Sequence, residues 1–336
     1  MARRASIPFF LVHLLPLLLL FTGISRTAVV LFIVTFTLRT FFITAGYHRY
    51  FSHRSYRMGR ITQFVFAFGG LTAAQKDPLW WASTHRAHHR YSDTDSDPHS
   101  PHKGFWWSHV GWILSSAHKK ADLSLVEDLA RFPELRFMYR HDWIGAWALG
   151  VTCFLIGGWS GLVLGFFVST ILIWHSTFCV NSVTHMVGTR RYATDDTSRN
   201  LWPVALFTFG EGWHNNHHHC PNVARMGFRW WELDVSYLCL RVLSGLHVVR
   251  DLRTPSRAVL EARRIRKGNL DVGMVRLHLA RAAHVVSRLE NAGHATEVAV
   301  EGAAKRFAGS IAELADAAGT VTGRQRVPVT APTSSP

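Results

Sequence analysis

Four apolar runs, set as two close pairs, constrain this chain more than any other feature. The first pair covers about 7–24 and 27–45, the second about 142–157 and 161–180. Most are about as long as a bilayer's hydrocarbon core requires, although the third is short. Only Gly23-Ile24-Ser25-Arg26 and Gly157-Gly158-Trp159-Ser160 separate the partners. So few residues leave room for a tight turn, and each pair reads as a helical hairpin. A cleaved signal peptide would need a shorter apolar core and would not be followed at once by a second run. In lipid each backbone group must be satisfied within its own segment, so the expected fold is all-α with four transmembrane helices. Arg39, near the end of the second run, is expected to reach the interface by snorkelling. Charged residues are 18% of the chain against roughly 25% for a soluble average, which agrees with this reading.

Lys and Arg set the orientation. Arg3 and Arg4 precede the first run, Arg49, Arg54, Arg57 and Arg60 follow the second, and Arg190 and Arg191 follow the fourth. The hairpin turns hold only Arg26. Both termini, the 46–141 segment and the 181–250 segment are therefore expected on the cytoplasmic side, the two segments forming a helical cap. Ile61 to Ala74 is apolar but short, and contains Gly69-Gly70. It reads as an interfacial or buried segment. Residues 1–250 form the expected membrane domain. Beyond 250 there is no Trp or Tyr, and 251–336 reads as a basic helical tail, partly disordered, with an amphipathic helix over Val272 to Leu289.

The chain has 21 His, and they cluster. His85, His88 and His89 stand at i, i+3 and i+4, so they share one helix face. His214, His217 and His218 repeat that arrangement. Asn181 and His185 lie four apart at the end of the fourth run. His48 and His53 lie five apart, which is off-axis on an ideal α-helix and requires a break between them. Nine imidazoles are too many for one ion and suit two transition metals at one membrane face. Imidazole alone does not choose among Zn, Cu, Fe and Ni. The four Cys form no CxxC pair, which excludes a disulfide scaffold.

The motifs fall in a telling order. They are Gly46-Tyr47-His48-Arg49-Tyr50-Phe51-Ser52-His53; His85-Arg86-Ala87-His88-His89 followed by Asp93 to His99; Asn181-Ser182-Val183-Thr184-His185; and Gly210-Glu211-Gly212-Trp213-His214-Asn215-Asn216-His217-His218. Over roughly residues 40–235 the chain resembles the integral-membrane acyl-CoA (stearoyl-CoA-type, Δ9-like) fatty acid desaturases. The resemblance implies a cytosolic cap holding two iron ions, and O2-dependent insertion of a cis double bond into a saturated acyl chain. It makes His48, His53, His85, His88, His89, His185, His214, His217 and His218 the iron ligands, and Asn181 a contact through water. Asp93, Asp97, Asp196 and Glu211 are expected behind the ligands, because a metal-bound imidazole donates its other N–H to a carboxylate or carbonyl. The division of the nine between two irons is not readable from spacing. His99, His102, His109 and His118 match no ligand position.

The substrate implied is a fatty acyl chain, with the CoA thioester favoured. One departure bears on this. Where the animal enzymes carry an Arg-Asp pair that holds CoA, this chain has Ser83 and Thr84, so CoA, acyl carrier protein and membrane lipid stay open as carriers. Trp80, Trp81, Trp106, Trp107 and Trp213 are candidates to line an acyl tunnel. With no CxxC centre and no GxGxxG opening a βα unit, electrons are expected from a separate donor such as ferredoxin, rubredoxin or a cytochrome. A membrane di-iron hydroxylase of alkane or lipid chains is the nearest rival. A His-rich metal-binding or transport protein is a rival of another class, disfavoured because the runs hold only His13 and His175 as path residues. The charge of +15 follows from the positive-inside bias and the tail, so nucleic acid is not an expected partner.

Overall fold

The structure is a computed structural model and describes residues 6–265 and 270–291, and residue 308. One compact unit is Met1–Met274 and a second is Val275–Pro336. The last residues expected to be disordered, 327–336, lie outside those described.

Helices dominate. The ones that position the site are α1 (Ile7–Thr22), α2 (Arg26–Ser52), α3 (Arg60–Leu71), α4 (Pro78–Tyr91), α5 (Ile144–Ser160), α6 (Ser169–Asn181), α7 (His214–His219) and α8 (Val235–Gly245). A further helix, α9, covers Gly273–Asn291. Four two-residue strands, β1 (Arg57–Met58), β2 (Gly188–Thr189), β3 (Val249–Arg250) and β4 (Leu270–Asp271), pair antiparallel as β1–β3 and β2–β4.

Among the described residues two helical stretches are long and apolar enough to cross a membrane, Arg26–Ser52 and Ile144–His185; Ile7–Thr22 is apolar but shorter. The 42-residue stretch is not straight. Gly158 has φ 59°, outside the helical range, and the chain folds back there. Gly150 then faces Phe166 and Leu162, and Gly165 faces the Cys153 Sγ, so the two arms run antiparallel. At the other hairpin Gly23 takes φ 66° and Ser25 caps α2 by accepting from the Ala28 N–H. The two turns touch. Ser160 Oγ donates to the Gly23 carbonyl at 2.9 Å and accepts from Ser25 N at 3.2 Å.

Arg39 does not snorkel. It is 2% exposed and reaches sideways into the bundle. Its guanidinium donates to the Thr35 and Thr72 carbonyls, to Thr170 Oγ1 at 2.7 Å and to Ser169 Oγ. Hydroxyls and carbonyls of neighbouring helices are closer than the interface, which explains the difference. In α3, Ile61, Phe64 and Val65 are exposed while Phe66, Ala67 and Leu71 are buried, so the segment lies along the body with one apolar face outward.

The described part of 251–274 is bonded into the body. Ala224 N–H donates to the Arg253 carbonyl at 2.7 Å, and Ile265 N–H to the Arg191 carbonyl at 2.7 Å. The change of composition near 250 therefore marks where Trp and Tyr stop, and compaction continues past it.

Candidate metal centre

The site forms where α2, α4, the end of α6 and α7 meet. Asp77 starts α4 by accepting from the N–H groups of Leu79 and Trp80, with Pro78 at the first turn. Three imidazoles follow on one face. The end of α2 solves the five-residue spacing of His48 and His53. Phe42–Ser52 is a π-helix, with i→i+5 bonding that includes His53 N–H to the His48 carbonyl at 3.3 Å. The extra residue per turn brings the two rings to a centroid separation of 4.9 Å. No break is needed.

The nine imidazoles divide into two groups. His48, His53, His85, His89 and His217 converge on one point, and His88, His185, His214 and His218 on another. In the first, His53 Nε2 and His85 Nε2 are 2.8 Å apart, and His89 Nε2 and His217 Nε2 also 2.8 Å. In the second, His185 Nε2 and His214 Nε2 are 3.0 Å apart.

All four expected carboxylates stand behind rings of these two groups. Asp97 Oδ2 is 3.0 Å from His88 Nδ1, Asp93 Oδ1 is 3.1 Å from His185 Nδ1, and Asp196 Oδ2 is 2.6 Å from His218 Nδ1. Glu211 pairs with His48 Nδ1. A carboxylate only accepts, so each of these rings carries its proton on Nδ1 and presents a bare Nε2. His88 and His218 are both of this kind, yet their Nε2 atoms lie 3.3 Å apart. Two lone pairs aimed at one another inside protein repel unless a cation lies between them. The donor set therefore fits bound metal ions.

Electrostatics agree. Burial pushes His53, His85, His89, His214 and His217 well below the ordinary imidazole range, which keeps them neutral. Burial also opposes charge on His185, but the carboxylates of Asp93, Asp196 and Asp97 together outweigh it and the net shift is upward. Burial would raise Asp97 and Asp196. The rings of His88 and His218 win, and both carboxyls stay ionised far below the usual range.

Sequence reasoning missed the frame around these ligands. Arg49, fully buried, donates to Glu211 at 3.0 Å, to Asp234 at 2.8 Å and to the Ala224 carbonyl at 2.7 Å. It thus ties the first His box to the last. Asn215 Oδ1 accepts from the N–H groups of Arg191 and Tyr192 at 2.8 Å, and Asn216 bonds Asn200, the Met226 carbonyl and Glu232. Polar residues inside the His boxes were the available signal. His99, which matched no ligand position, is buried with its ring 4.2 Å from that of His88, and its backbone N–H donates to Asp97.

Two cavities open beside the imidazole groups. The larger, about 370 Å³, is lined by Phe9, Trp80, Trp81, Trp143, Phe178 and other apolar groups; the smaller, about 40 Å³, by Thr40, Ile43, Thr44 and Ile173 among others. Trp81, His85, Thr177 and Asn181 line both. Trp80 and Trp81 thus line the space as expected. Trp106 and Trp107 line neither, and Trp213 instead donates its indole N–H to the Leu233 carbonyl.

The fatty acid desaturase family model matches residues 25–235, which include all nine imidazoles. The chain belongs to the fatty acid desaturase family. It is 40% identical over 219 residues to the sn-1 stearoyl-lipid 9-desaturase of Synechocystis, covering 65% of this chain and 69% of the relative. It is 38% identical over 229 residues to Delta-9 acyl-lipid desaturase 1 of Arabidopsis thaliana, covering 67% and 75%. It is 40% identical over 221 residues to the acyl-CoA C20 Delta5-desaturase of Anemone leveillei, covering 63% and 69%. This desaturase is accordingly an oxidoreductase acting on fatty acyl chains, with a His-rich metal centre and apolar helices suited to a membrane.

Proposed function

We propose that this desaturase inserts a cis double bond into a saturated acyl chain while O2 is reduced to water, using two iron ions. The observation that carries the reading is the five-plus-four grouping of imidazoles beside an apolar cavity. His48, His53, His85, His89 and His217 would hold one iron. His88, His185, His214 and His218 would hold the other, with Asn181 completing one of them through water. Bound iron supplies O2 activation and removal of two unactivated hydrogens. Asp93, Asp97, Asp196 and Glu211 fix ring orientation and offset the charge of two divalent ions. Trp80 and Trp81 help exclude water and hold the chain against the ligand rings, so two neighbouring carbons are presented.

Four spans in two hairpins, with both termini and the cap on the cytoplasmic side, accommodate these elements. The two arms of Ile144–His185 and the pair Ile7–Thr22 with Arg26–Ser52 support that topology, as does the bias in Lys and Arg. Electrons come from a separate donor such as ferredoxin, rubredoxin or a cytochrome.

The sequence alone favoured a CoA thioester. The cavity lining favours a chain esterified to membrane lipid. Pro8, Phe9 and Val12 of the first arm and Ala146 of the third form part of its wall, so it borders the bilayer. Ser83, at a position where the animal enzymes hold CoA, is buried, with its Oγ donating to the Trp80 carbonyl and accepting from Asp122 N–H. Two of the three relatives above are named for acyl-lipid substrates.

The test is expression in a desaturase-deficient host with His88→Ala alongside, followed by location of double bonds by mass spectrometry. A new cis-monoene absent from the variant is expected. A new hydroxy-lipid would replace this reading by the hydroxylase. Labelled stearoyl-CoA and stearoyl-lipid, supplied separately to the purified enzyme with a reductant, then assign the carrier.

A further inference from the structure

A second groove, of about 440 Å³, is lined by none of the nine imidazoles and is bordered by Arg54, Arg57, Arg60, Arg131, Arg250 and Arg253. Three observations single it out. First, β1 and β3 pair in a register that sets Arg57 opposite Arg250. Like charges directly opposite on neighbouring strands destabilise a ladder, and this ladder is only two residues long.

Second, the cations outnumber their partners. Arg57 pairs with Asp251 and Arg60 with Glu134, while Arg54 shares Asp128 with Arg86. Among the described residues no carboxylate pairs with Arg131, Arg250 or Arg253.

Third, the groove's inner wall holds donors with nothing to donate to. Gln63 is 2% exposed. Its Oε1 accepts from Tyr50 at 2.8 Å, which leaves its buried Nε2 unbonded. Arg54 Nη1 is likewise buried and unbonded. A buried donor without a partner costs free energy that an acceptor would recover.

We propose that this groove binds the phosphate of an anionic phospholipid headgroup. An oxyanion would separate Arg57 from Arg250, neutralise the unpaired guanidiniums and accept from Gln63. The surroundings choose lipid over a soluble anion. Ile61, one residue beyond Arg60, is 84% exposed, and Val242 of α8 and Leu246 at its C-cap, just before β3, are also exposed. Basic groups flanked by bare apolar surface suit the headgroup layer. The inner wall belongs to the segment that holds His48 and His53, since Tyr50 lies between them and Arg54 follows directly. Lipid in the groove therefore braces that segment. The choice of lipid rests on the membrane orientation proposed above, whereas the anion site does not.

The experiment uses the full-length, iron-loaded protein in neutral detergent. Thermal unfolding is followed with dihexanoyl phosphatidylglycerol, dihexanoyl phosphatidylcholine or inorganic phosphate. Phosphatidylglycerol is expected to raise Tm by several degrees and phosphatidylcholine to leave it unchanged. The triple variant Arg131→Gln, Arg250→Gln, Arg253→Gln should lose at least nine tenths of that rise while keeping its iron. If it does not fold, Arg250→Gln alone should weaken the lipid response several-fold. An equal rise with inorganic phosphate would overturn the lipid assignment and leave a free-anion site. An undiminished lipid response in the variants would overturn the groove as the site. So would a variant whose only defect is a raised, salt-dependent KM for an acidic electron donor, which would make the surface a protein dock. The iron content of the variants separates these outcomes from failure of the metal-centre reading.

Discussion

Asp97 Oδ2 stands 3.0 Å from Nδ1 of His88, and the other oxygen of the same carboxylate accepts the His99 N–H at 3.1 Å. One side chain thus orients a ligand ring and closes the loop behind it. Asp97→Asn keeps the shape but loses an acceptor. Removing such an outer partner costs about 10–100-fold in metal affinity or activity. Iron content and turnover should fall by that order, with the helical circular dichroism signal unchanged. Full iron content in the variant would show that packing alone orients His88.

Arg49 tests the frame. It is fully buried and neutralises both Glu211 and Asp234. Arg49→Leu leaves two carboxylates buried without a cation, at roughly 3–5 kcal/mol. The Arg60–Glu134 pair is exposed on the arginine side, and Arg60→Leu should cost far less, because solvent screens that pair. Unfolding in detergent compares the two.

Asp77 predicts a pH dependence. Burial pushes its carboxyl from 3.8 up to about 6, against the Leu79 and Trp80 N–H bonds that pull it down. The folded state therefore holds this proton more tightly than the unfolded state. Its contribution to stability is fully present below the unfolded value of 3.8 and is lost as pH rises through about 6. Asp77→Asn keeps the oxygen that caps α4 and removes the charge. The unfolding free energy of the variant relative to the native chain should rise between pH 4.5 and 7, by an amount of order 1–3 kcal/mol. A constant difference across that range would contradict it.

Gly212 admits no side chain. A Cβ there would lie 2.1 Å from Ala205 N and 2.5 Å from the Leu201 carbonyl oxygen, both backbone atoms. Gly212→Ala must shift the loop that delivers His214 and His217, so iron should be lost from both groups. Gly245→Ala meets nothing within 4 Å and serves as the control.

Removing the metal should loosen the cap. Buried lone pairs such as those of His88 and His218 then face each other without a cation. Chelation is expected to lower Tm by several degrees and ferrous iron to restore it. An unchanged Tm would mean that protein contacts alone hold the rings together.

The sequence carried much of this site because the ligands sit at helical spacings. His85, His88 and His89 needed only one α-helical face, and that helix is present. His48 and His53 were legible as residue types but not as geometry, since a π-turn has no composition of its own. The five-to-four division depends on how α2, α4 and α7 cross, which spacing along the chain does not encode. Arg39 was misread because its acceptors, Ser169 and Thr170, lie about 130 residues away. Asp93 and Asp196 were found by type and position alone, while Arg49 stayed hidden between two His. A charge inside a ligand motif looks like decoration until its partners at 211 and 234 are seen.

The bond from Ser160 to Gly23 joins the two hairpins at the tips farthest from the ligands. Fastened there, the pair behaves like a clothes-peg, with its spring at the turns and its jaws at the cavity. On the topology proposed above, an acyl chain that entered beside Phe9 and Ala146 would part the arms at the end away from this bond. The strain of each passage would then fall on the His-bearing ends of those arms.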